Sequence, residues 1–313
     1  MSGADPLPRG ALPTLRQLQF LAALQAHGSF VRAADAVGVT QPTLSAGIKE
    51  LEAILSVTLV DRARGAALTP AGEEAAMRAI RVLSETEELV RAMHGSAGPL
   101  VGPFRLGAIP TIAPFLLPRA LPELKARFPL LRLLLREDVS IRLIEQLRAR
   151  ALDAAIIALP YEASGIEVEV IGEDEFLLAA PRGHPLADRA SLTPDDLAGE
   201  ELLLLEDGHC LRDHSLRLCG APPRRQSADV SATSLYTLVQ MVAGGMGVTL
   251  LPRLASDAGA ASGAAVDVRP FSAPIVGRSL AIAWRAGSPR SVECRLLGQT
   301  LRDVISRSAN PAP

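Results

Sequence analysis

Residues 28–72 determine the fold of the N-terminal region, and they read GSFVRAADAVGVTQPTLSAGIKELEAILSVTLVDRARGAALTPAG. Ser29 and Thr40 are residue types that cap helix N-termini, and apolar residues at helical spacing follow each of them. Between the two helices, Gly38 suits the left-handed backbone conformation in which helices end. Two helices joined by so short a turn predict a helix-turn-helix unit.

The flanking segments extend this unit in both directions. Thr14 predicts a capped helix that runs to Gly28. Residues 57–60 and 66–69 alternate around a turn that contains Arg62 and Arg64, which predicts a small β-wing. Thr69-Pro70 then starts a helix without a breaker until Gly95. At about 1.5 Å per residue this helix is nearly 40 Å long, so we expect it to mediate dimerisation.

The remainder of the chain alternates between strands and helices, which is typical of an α/β domain. Glycines and prolines at 96–103 predict a hinge before it. Strands are predicted at 104–109, 131–135, 154–159, 176–180, 202–205, 248–251 and 280–284. Helices are predicted at 114–128, 141–150, 234–243 and 292–307. Glycines at 244–247 follow a helix instead of opening one, so they predict a turn and not a phosphate loop.

Composition restricts the functional classes. The chain has 313 residues, is 48% hydrophobic and carries a net charge of −2, so charge alone gives no argument for nucleic-acid binding. No apolar run approaches the roughly 18 residues of a membrane span, and the N-terminus does not resemble a secretory signal, so we expect a cytoplasmic protein without membrane contact. Its three cysteines are too few for a disulfide scaffold and favour catalytic, metal-binding or redox use.

Residues 28–72 closely resemble the N-terminal signature of the LysR-type transcriptional regulators, and the α/β layout that follows is similar to their effector domain. Residues 202–220, LLLLEDGHCLRDHSLRLCG, resemble the peroxide-sensing loop of the OxyR branch of that family. Residues 232–252, ATSLYTLVQMVAGGMGVTLLP, resemble the same branch. The resemblance covers nearly the whole chain.

The resemblance implies a winged helix-turn-helix DNA-binding domain at 1–68, a linker and dimerisation helix at 69–95, a hinge at 96–103 and a regulatory domain at 104–313. The regulatory domain would consist of two α/β subdomains, like those of periplasmic binding proteins, with a cleft between them. Subdomain I would span about 104–173 plus 277–308, and subdomain II about 174–276. A homotetramer, a dimer of dimers, is the implied assembly.

The third helix is the predicted DNA reader. Gln41, Thr43 and Ser45 lie in its first turns, where side chains reach base edges in the major groove, and Lys49 one turn later can meet a phosphate. The remaining predicted contacts are Arg32, Thr40 and Pro42, with Arg62 and Arg64 in the wing. An isolated polar helix face would more often be a solvated surface, but the two-helix unit, the wing and the resemblance together favour double-stranded DNA.

The spacing of Cys210 and Cys219 has two structural readings. If the intervening residues are helical, the two α-carbons lie about 13 Å apart, whereas a disulfide needs less than roughly 7 Å. Oxidation would then require that segment to refold, which is how a switch could work. If the segment is already a loop, a disulfide could form with little consequence.

Reaction with peroxide requires a Cys210 thiolate and nearby groups that polarise the O–O bond. His209, Arg212 and Asp213 are close in sequence, and Arg212 is the cation among them that is always charged. By resemblance, Thr111 and Ser140 would supply hydroxyls that position peroxide, although the branch usually has threonine at the second position. Cys210 would become a sulfenic acid and Cys219 would resolve it to a disulfide, which cytosolic thiols reduce.

Other readings of these residues are weaker. Cys294 lies on an amphipathic helix and is expected to be a buried apolar residue. His209, Cys210, His214 and Cys219 match no common zinc spacing, so no metal site and no cofactor are predicted.

Three functions remain open at this point. The leading one is a peroxide-responsive transcription factor, which is not an enzyme and has promoter DNA, RNA polymerase and its own copies as partners. A LysR-type regulator that binds a small organic effector in the cleft, with idle cysteines, is the second. A thiol peroxidase with turnover is the third, and the N-terminal module argues against it.

Overall fold

A computed structural model describes residues 12–61, 65–93, 98–161, 163–218, 226–272 and 276–309. The chain divides into two compact units. The N-terminal unit is Met1–Ser96 with Ala149–Ala151, and the C-terminal unit is Ala97–Arg148 with Leu152–Pro313. The predicted residues Arg62, Arg64 and Cys219 lie outside the described residues.

The N-terminal unit contains α1 (Leu15–His27), α2 (Phe30–Ala36), α3 (Gln41–Leu55), the antiparallel strands β1 (Val60–Asp61) and β2 (Ala67–Leu68), and α4 (Pro70–Met93). Thr14 caps α1 with a capping box to Gln17, and Gly28 ends that helix at a φ of 58°. Thr40 caps α3 by accepting a hydrogen bond from the Thr43 backbone. The predicted three helices and short wing are therefore present.

Apolar faces of the first three helices form one small core, which contains Phe20, Leu44 and Ile48. Gly47 lies on α3 against this core, and a Cβ at that position would lie 2.6 Å from Cδ2 of Phe20. The glycine therefore lets α3 approach α1 closely. Glu52 accepts hydrogen bonds from the backbone N–H groups of Leu59 and Val60, which fixes the first strand of the wing to α3.

The C-terminal unit is a mixed α/β structure. Its elements are β3 (Gly102–Ala108), α5 (Ala113–Arg127), β4 (Leu131–Glu137), α6 (Ser140–Arg148), β5 (Ala154–Leu159), β6 (Ile166–Pro181), β7 (Leu202–Leu205), α7 (Cys210–Leu218), β8 (Gln226–Ala232), α8 (Leu235–Ala243), β9 (Thr249–Pro252), α9 (Arg253–Asp257), β10 (Val266–Pro270), β11 (Gly277–Arg285) and α10 (Ser291–Ala309). The main sheet has the order β10-β6-β11-β5-β3-β4, and β9 also pairs with β6.

The long strand β6 connects two regions of this sheet. Residues 166–175 pair with β11, and residues 176–181 pair with β9 and β10. Strands β3, β4 and β5 are parallel, so their carboxyl ends meet at one edge, where ligands of α/β sheets usually bind. This edge carries Thr111, Ser140 and Tyr161 in the segments that leave the strands.

The sequence patterns missed parts of the sheet. The prediction for β6 began at Phe176, although Ile166, Val168 and Val170 alternate with acidic residues in a strand pattern. Strands β8 and β10 were not predicted because they are short and carry many polar residues. No helix among the described residues is long and apolar enough to cross a membrane.

Candidate functional site

Cys210 is the first residue of α7 and follows the carboxyl end of β7 after a short turn. Gly208 in that turn has a φ of 93°, a left-handed conformation that glycine adopts without strain. The Cys210 side chain is partly buried and packs against the core of the C-terminal unit. The turn therefore places the thiol at the boundary between the core and the surface.

Burial and neighbouring groups shift the pKa of the Cys210 thiol in opposite directions. Burial raises the pKa of Cys210, and this effect outweighs the lowering by the Arg278 charge and by hydrogen bonds from Ser140 and Arg278. The charge of Asp213 raises the pKa slightly further. At neutral pH the resting thiol is therefore mainly protonated, and a cation lies ready to stabilise the thiolate.

Arg278 is held rigidly at the start of β11. Its Nε and Nη2 donate to Oδ2 of Asp174 at 3.0 and 2.9 Å, and the two residues are register partners on β11 and β6. Its Nη1 donates to Oγ1 of Thr111 at 2.8 Å, and its Nη2 also donates to the Thr111 carbonyl. Asp174 in turn accepts a hydrogen bond from the Leu254 backbone at 2.9 Å. The guanidinium is thus fixed by hydrogen bonds to two segments of the chain, and its carboxylate partner is fixed by a third.

Ser140 is the first residue of α6 and is buried. Its Oγ has no hydrogen-bond partner of ordinary geometry among the described residues, and its polar interaction is with the Cys210 sulfur. The Ser140 hydroxyl is therefore in position to donate to the Cys210 sulfur and to stabilise its thiolate.

His214 lies one helical turn after Cys210 on α7 and is also buried. Burial, followed by the charges of Arg278 and Arg217, lowers the pKa of His214 to about 4. The imidazole is therefore neutral at physiological pH. A hydrogen bond to the backbone of Leu159 opposes the lowering, and Nδ1 has no partner among the described residues.

A cavity of about 220 Å³ adjoins these groups. Its lining residues are Ser140, Ile141, Pro160, Tyr161, Gly208, Cys210, Asp213, His214 and Arg217. A water molecule occupies about 30 Å³ in the liquid, so the cavity has room for several molecules of that size. A small molecule in this cavity would lie against the Cys210 residue that lines it.

The predicted DNA-reading side chains lie on α3. Gln41, Pro42, Thr43 and Lys49 are exposed, whereas Ser45 is half-buried. Arg32 on α2 and Thr40 are exposed as well, and the Thr40 and Thr43 hydroxyls lie 2.8 Å apart. The first turn of α3 therefore presents amide and hydroxyl groups to solvent.

Both parts of the chain match models of one protein family. Residues 15–73 match the bacterial regulatory helix-turn-helix protein, lysR family, and residues 97–306 match the LysR substrate binding domain. The chain belongs to the LysR family. The mixed α/β architecture with an N-terminal winged helix-turn-helix is the fold of that family, as the sequence predicted.

Curated relatives of this LysR chain include peroxide-inducible regulators. A probable hydrogen peroxide-inducible genes activator of Mycobacterium avium is 41% identical over 296 residues, which cover 94% of this chain and 95% of the relative. The DNA-binding transcriptional dual regulator OxyR of Escherichia coli is 38% identical and covers 92% of this chain and 94% of its own length.

Solved structures point to the same branch of the LysR family. Full-length OxyR of Pseudomonas aeruginosa, with one cysteine replaced by aspartate, has a TM-score of 0.76 at 36% identity and covers 93% of this chain and 98% of its own. A cysteine-to-serine variant of Corynebacterium glutamicum OxyR with hydrogen peroxide bound has a TM-score of 0.64 at 32% identity, covering 95% and 96%. The predicted resemblance to the OxyR branch is confirmed.

The structure brings together some of the predicted sensor residues of this LysR chain. Cys210 and Ser140 interact directly, and Thr111 joins them through Arg278. Asp213 is exposed, lines the cavity and acts on Cys210 through its charge.

The other two predicted residues lie at the edge of the site. His209 is half-buried, and burial lowers its pKa while the charges of Glu206 and Glu137 oppose the change. Arg212 donates to Asp207 at 2.8 Å and to the Leu205 carbonyl at 3.3 Å. It has no part in the electrostatics of the Cys210 thiol, which depend on Arg278.

The sequence did not lead us to predict Arg278. His214 was considered there only as a metal ligand, and the spacing did not support a metal site. One signal for Arg278 was available, because the segment GRSLAIAWR places an arginine inside an otherwise apolar strand. An internal cation of that kind requires a buried acidic partner. Cys294 is buried, and burial with the nearby Asp153 raises its pKa to about 12, in agreement with a core role.

Proposed function

We propose that this chain is a peroxide-responsive LysR-type regulator in which Cys210 is the sensor. The observation that carries the proposal is the Cys210 thiol at a small cavity, next to the buried Arg278 cation and in contact with the Ser140 hydroxyl. The relatives named for peroxide induction support it.

The chemistry begins with attack of the Cys210 sulfur on one oxygen of peroxide. An S–O bond forms, the O–O bond breaks, and the leaving oxygen departs as water with the thiol proton. The Cys219 thiol then displaces the sulfenic oxygen as a second water and forms a disulfide. Each such oxidation consumes one peroxide, and two equivalents of cytoplasmic thiol reduce the disulfide and restore the sensor. The proposed role is that of a regulator, so peroxide consumption supported by excess dithiol should not greatly exceed one equivalent per chain.

The helical state of α7 gives this disulfide a structural consequence. The helix extends from Cys210 to Leu218, and its eight steps separate those two α-carbons by about 12 Å. Adjacent α-carbons are about 3.8 Å apart, so Cys219 cannot come within the roughly 7 Å that a disulfide needs unless the helix unfolds. We propose Cys219 as the resolving cysteine, as the resemblance implies. Refolding of this segment would change the surface through which the copies of a homotetramer meet.

The DNA-binding part of the proposal rests on α3. Gln41, Thr43 and Ser45 would read bases, Arg32, Thr40, Pro42 and Lys49 would support the contact, and Arg62 and Arg64 would reach the backbone from the wing. The domain boundaries follow the expectation from the sequence, with the DNA-binding domain at 1–68 and the regulatory domain at 104–313. RNA polymerase is the proposed partner at promoters in the cytoplasm.

The test uses peroxide and mass spectrometry. Full-length protein is treated with stoichiometric peroxide. Its oxidised cysteines are identified by mass spectrometry, and operator binding is measured on the same samples. We expect a crosslink between Cys210 and Cys219 and a changed operator footprint, and Cys210→Ser should abolish both. The buried Cys294 supplies the matched control, because Cys294→Ser should leave both responses intact. An unaltered response in Cys210→Ser would refute the redox function.

A second candidate is a regulator that binds an organic effector. One observation favours it: a cavity of about 310 Å³ is lined mainly by apolar residues, among them Ile144, Ile157 and Val168. If an organic metabolite still changed operator binding of the Cys210→Ser variant, this second function would be favoured.

A further inference from the structure

The cavity beside Cys210 is lined by a histidine whose buried ring carries an unpartnered nitrogen. Nδ1 of His214 makes no hydrogen bond within the described residues, whereas Oγ of Ser140 interacts with the Cys210 sulfur. Both side chains line the cavity, together with the Cys210 thiol. Buried polar atoms normally have a protein or water partner, so the unpartnered Nδ1 of a cavity-lining side chain indicates a polar guest that can donate to it.

The position of His214 follows from the helix. Residues four apart on an α-helix lie on one face, with Cβ atoms about 5–6 Å apart, so His214 and Cys210 project from the same side of α7. The imidazole also lies 6.2 Å from the Phe176 ring, centroid to centroid, which restricts its orientation. The histidine is therefore held in place beside the reactive sulfur.

The protonation state of His214 is determined by its neighbours. The low pKa leaves the ring neutral at pH 7, so one nitrogen carries a proton and the other is an acceptor. The Leu159 carbonyl can only accept a hydrogen bond, and Nδ1 has no partner, so the proton belongs on Nε2. Nδ1 is then a bare acceptor in a buried position.

Hydrogen peroxide is a donor at both of its oxygens and needs acceptors as well as donors around it. Arg278 can only donate, and a neutral thiol is a weak acceptor. Asp213 and Arg217 line the cavity but are exposed to solvent. The buried Ser140 hydroxyl also lines it and already interacts with the Cys210 sulfur. Nδ1 of His214 is thus a buried acceptor of the lining that has no partner within the described residues.

From this arrangement we infer that His214 is a peroxide-binding residue, whose Nδ1 accepts a hydrogen bond from peroxide and orients its O–O bond toward the Cys210 sulfur. The inference rests on the proposed function. His214 keeps its own protonation state throughout: the sulfur is oxidised, the O–O bond is reduced, and the thiol proton leaves with the departing oxygen as water. The histidine lowers the barrier by orientation.

The first test separates binding of peroxide from reactivity of the thiol. In full-length protein carrying Cys219→Ser, the rate constant for Cys210 sulfenic acid formation is measured at pH 7 by dimedone trapping, and the rate of alkylation by iodoacetamide is measured beside it. His214→Met fills a similar volume without an acceptor and should slow the peroxide reaction about 3- to 10-fold, the worth of one hydrogen bond. Alkylation should not change.

Two further variants complete this comparison. His214→Gln retains an acceptor oxygen and should recover the peroxide rate. His184→Met removes another partly buried histidine, which pairs with Glu200 away from the cavity, and should change neither rate. Equal loss of peroxide oxidation and alkylation in His214→Met, or no loss of either, would overturn the inference. If Cys210 of the Cys219→Ser parent did not react with peroxide, the proposed function itself would be refuted.

A crystallographic measurement is independent of the stability of the His214 variants. Crystals of the full-length Cys210→Ser variant are soaked in hydrogen peroxide. We expect a peroxide oxygen within about 2.7–3.2 Å of Nδ1 of His214. Peroxide bound elsewhere in the cavity, out of reach of Nδ1, would contradict the assignment.

Discussion

Removing one member of the ion pair between Arg278 and Asp174 should destabilise the C-terminal unit strongly. The side chains are 0% and 1% exposed, and two hydrogen bonds join them. Loss of one partner leaves the other charge buried and unpaired, which costs about 3–5 kcal/mol. We therefore expect Arg278→Gln and Asp174→Asn each to lower stability by that amount.

The expected change can be expressed as a melting temperature. The LysR substrate-binding region spans residues 97–306, and for domains of that size about 1 kcal/mol corresponds to roughly 2–4 °C. Each single substitution should therefore lower the midpoint by roughly 6–20 °C. Differential scanning calorimetry of the full-length protein, followed at the transition of this unit, measures it.

The double variant Asp174→Asn with Arg278→Gln distinguishes charge from packing. The double variant removes both buried charges together, so neither is left unpaired, and it should lose less stability than the sum of the single losses. It should also react with peroxide more slowly than the parent, because the cation that lowers the Cys210 pKa is gone. Additive losses, or single variants that melt with the parent, would refute this account of the pair.

Two other predictions concern different parts of the chain. The pKa of His214 falls from 6.5 to about 4 on folding. Lowering the pH between those values should therefore reduce the free energy of unfolding by at most about 3 kcal/mol. His214→Gln should remove this component from the pH dependence measured by urea unfolding. In the N-terminal unit, a Cβ on Gly72 would lie 2.0 Å from the Leu59 carbonyl oxygen. Gly72→Ala should therefore separate the wing from α4 and weaken operator binding in gel-shift assays. The control Ala53→Ser, on the exposed side of α3, should bind the operator normally. Normal operator binding by Gly72→Ala would count against this packing role.

Local sequence was sufficient for the helix-turn-helix unit. The caps at Thr14 and Thr40 and the left-handed Gly28 depend on contacts within a few residues, so their patterns were readable without a structure. The same is true of the segment around Cys210, whose residue order carries the resemblance to the peroxide-sensing branch. Strand β6 was only half recognised: its continuous buried run from Phe176 was predicted, whereas the alternating pattern of its first part was present in the sequence and was overlooked.

The cation beside the thiol could not be chosen from sequence proximity. Arg212 is two residues from Cys210, yet the helix directs it toward Asp207, and the pairing of β11 with β6 brings Arg278 and Asp174 together instead. Contacts of this kind depend on strand register, which no short window of sequence contains.

The sequence by itself therefore determined the family and the helix-turn-helix unit, and it predicted the DNA-reading helix and the sensor cysteine, because caps, periodicity and motif spacing are local properties. Only the tertiary structure decided the environment of that cysteine. Burial raises the pKa of Cys210, the Arg278 charge and the Ser140 hydrogen bond oppose that rise, and His214, with an unpartnered Nδ1, lines the same cavity. These effects arise from segments that are distant in the chain and adjacent in space, since charge and solvation act through distance and not through sequence order.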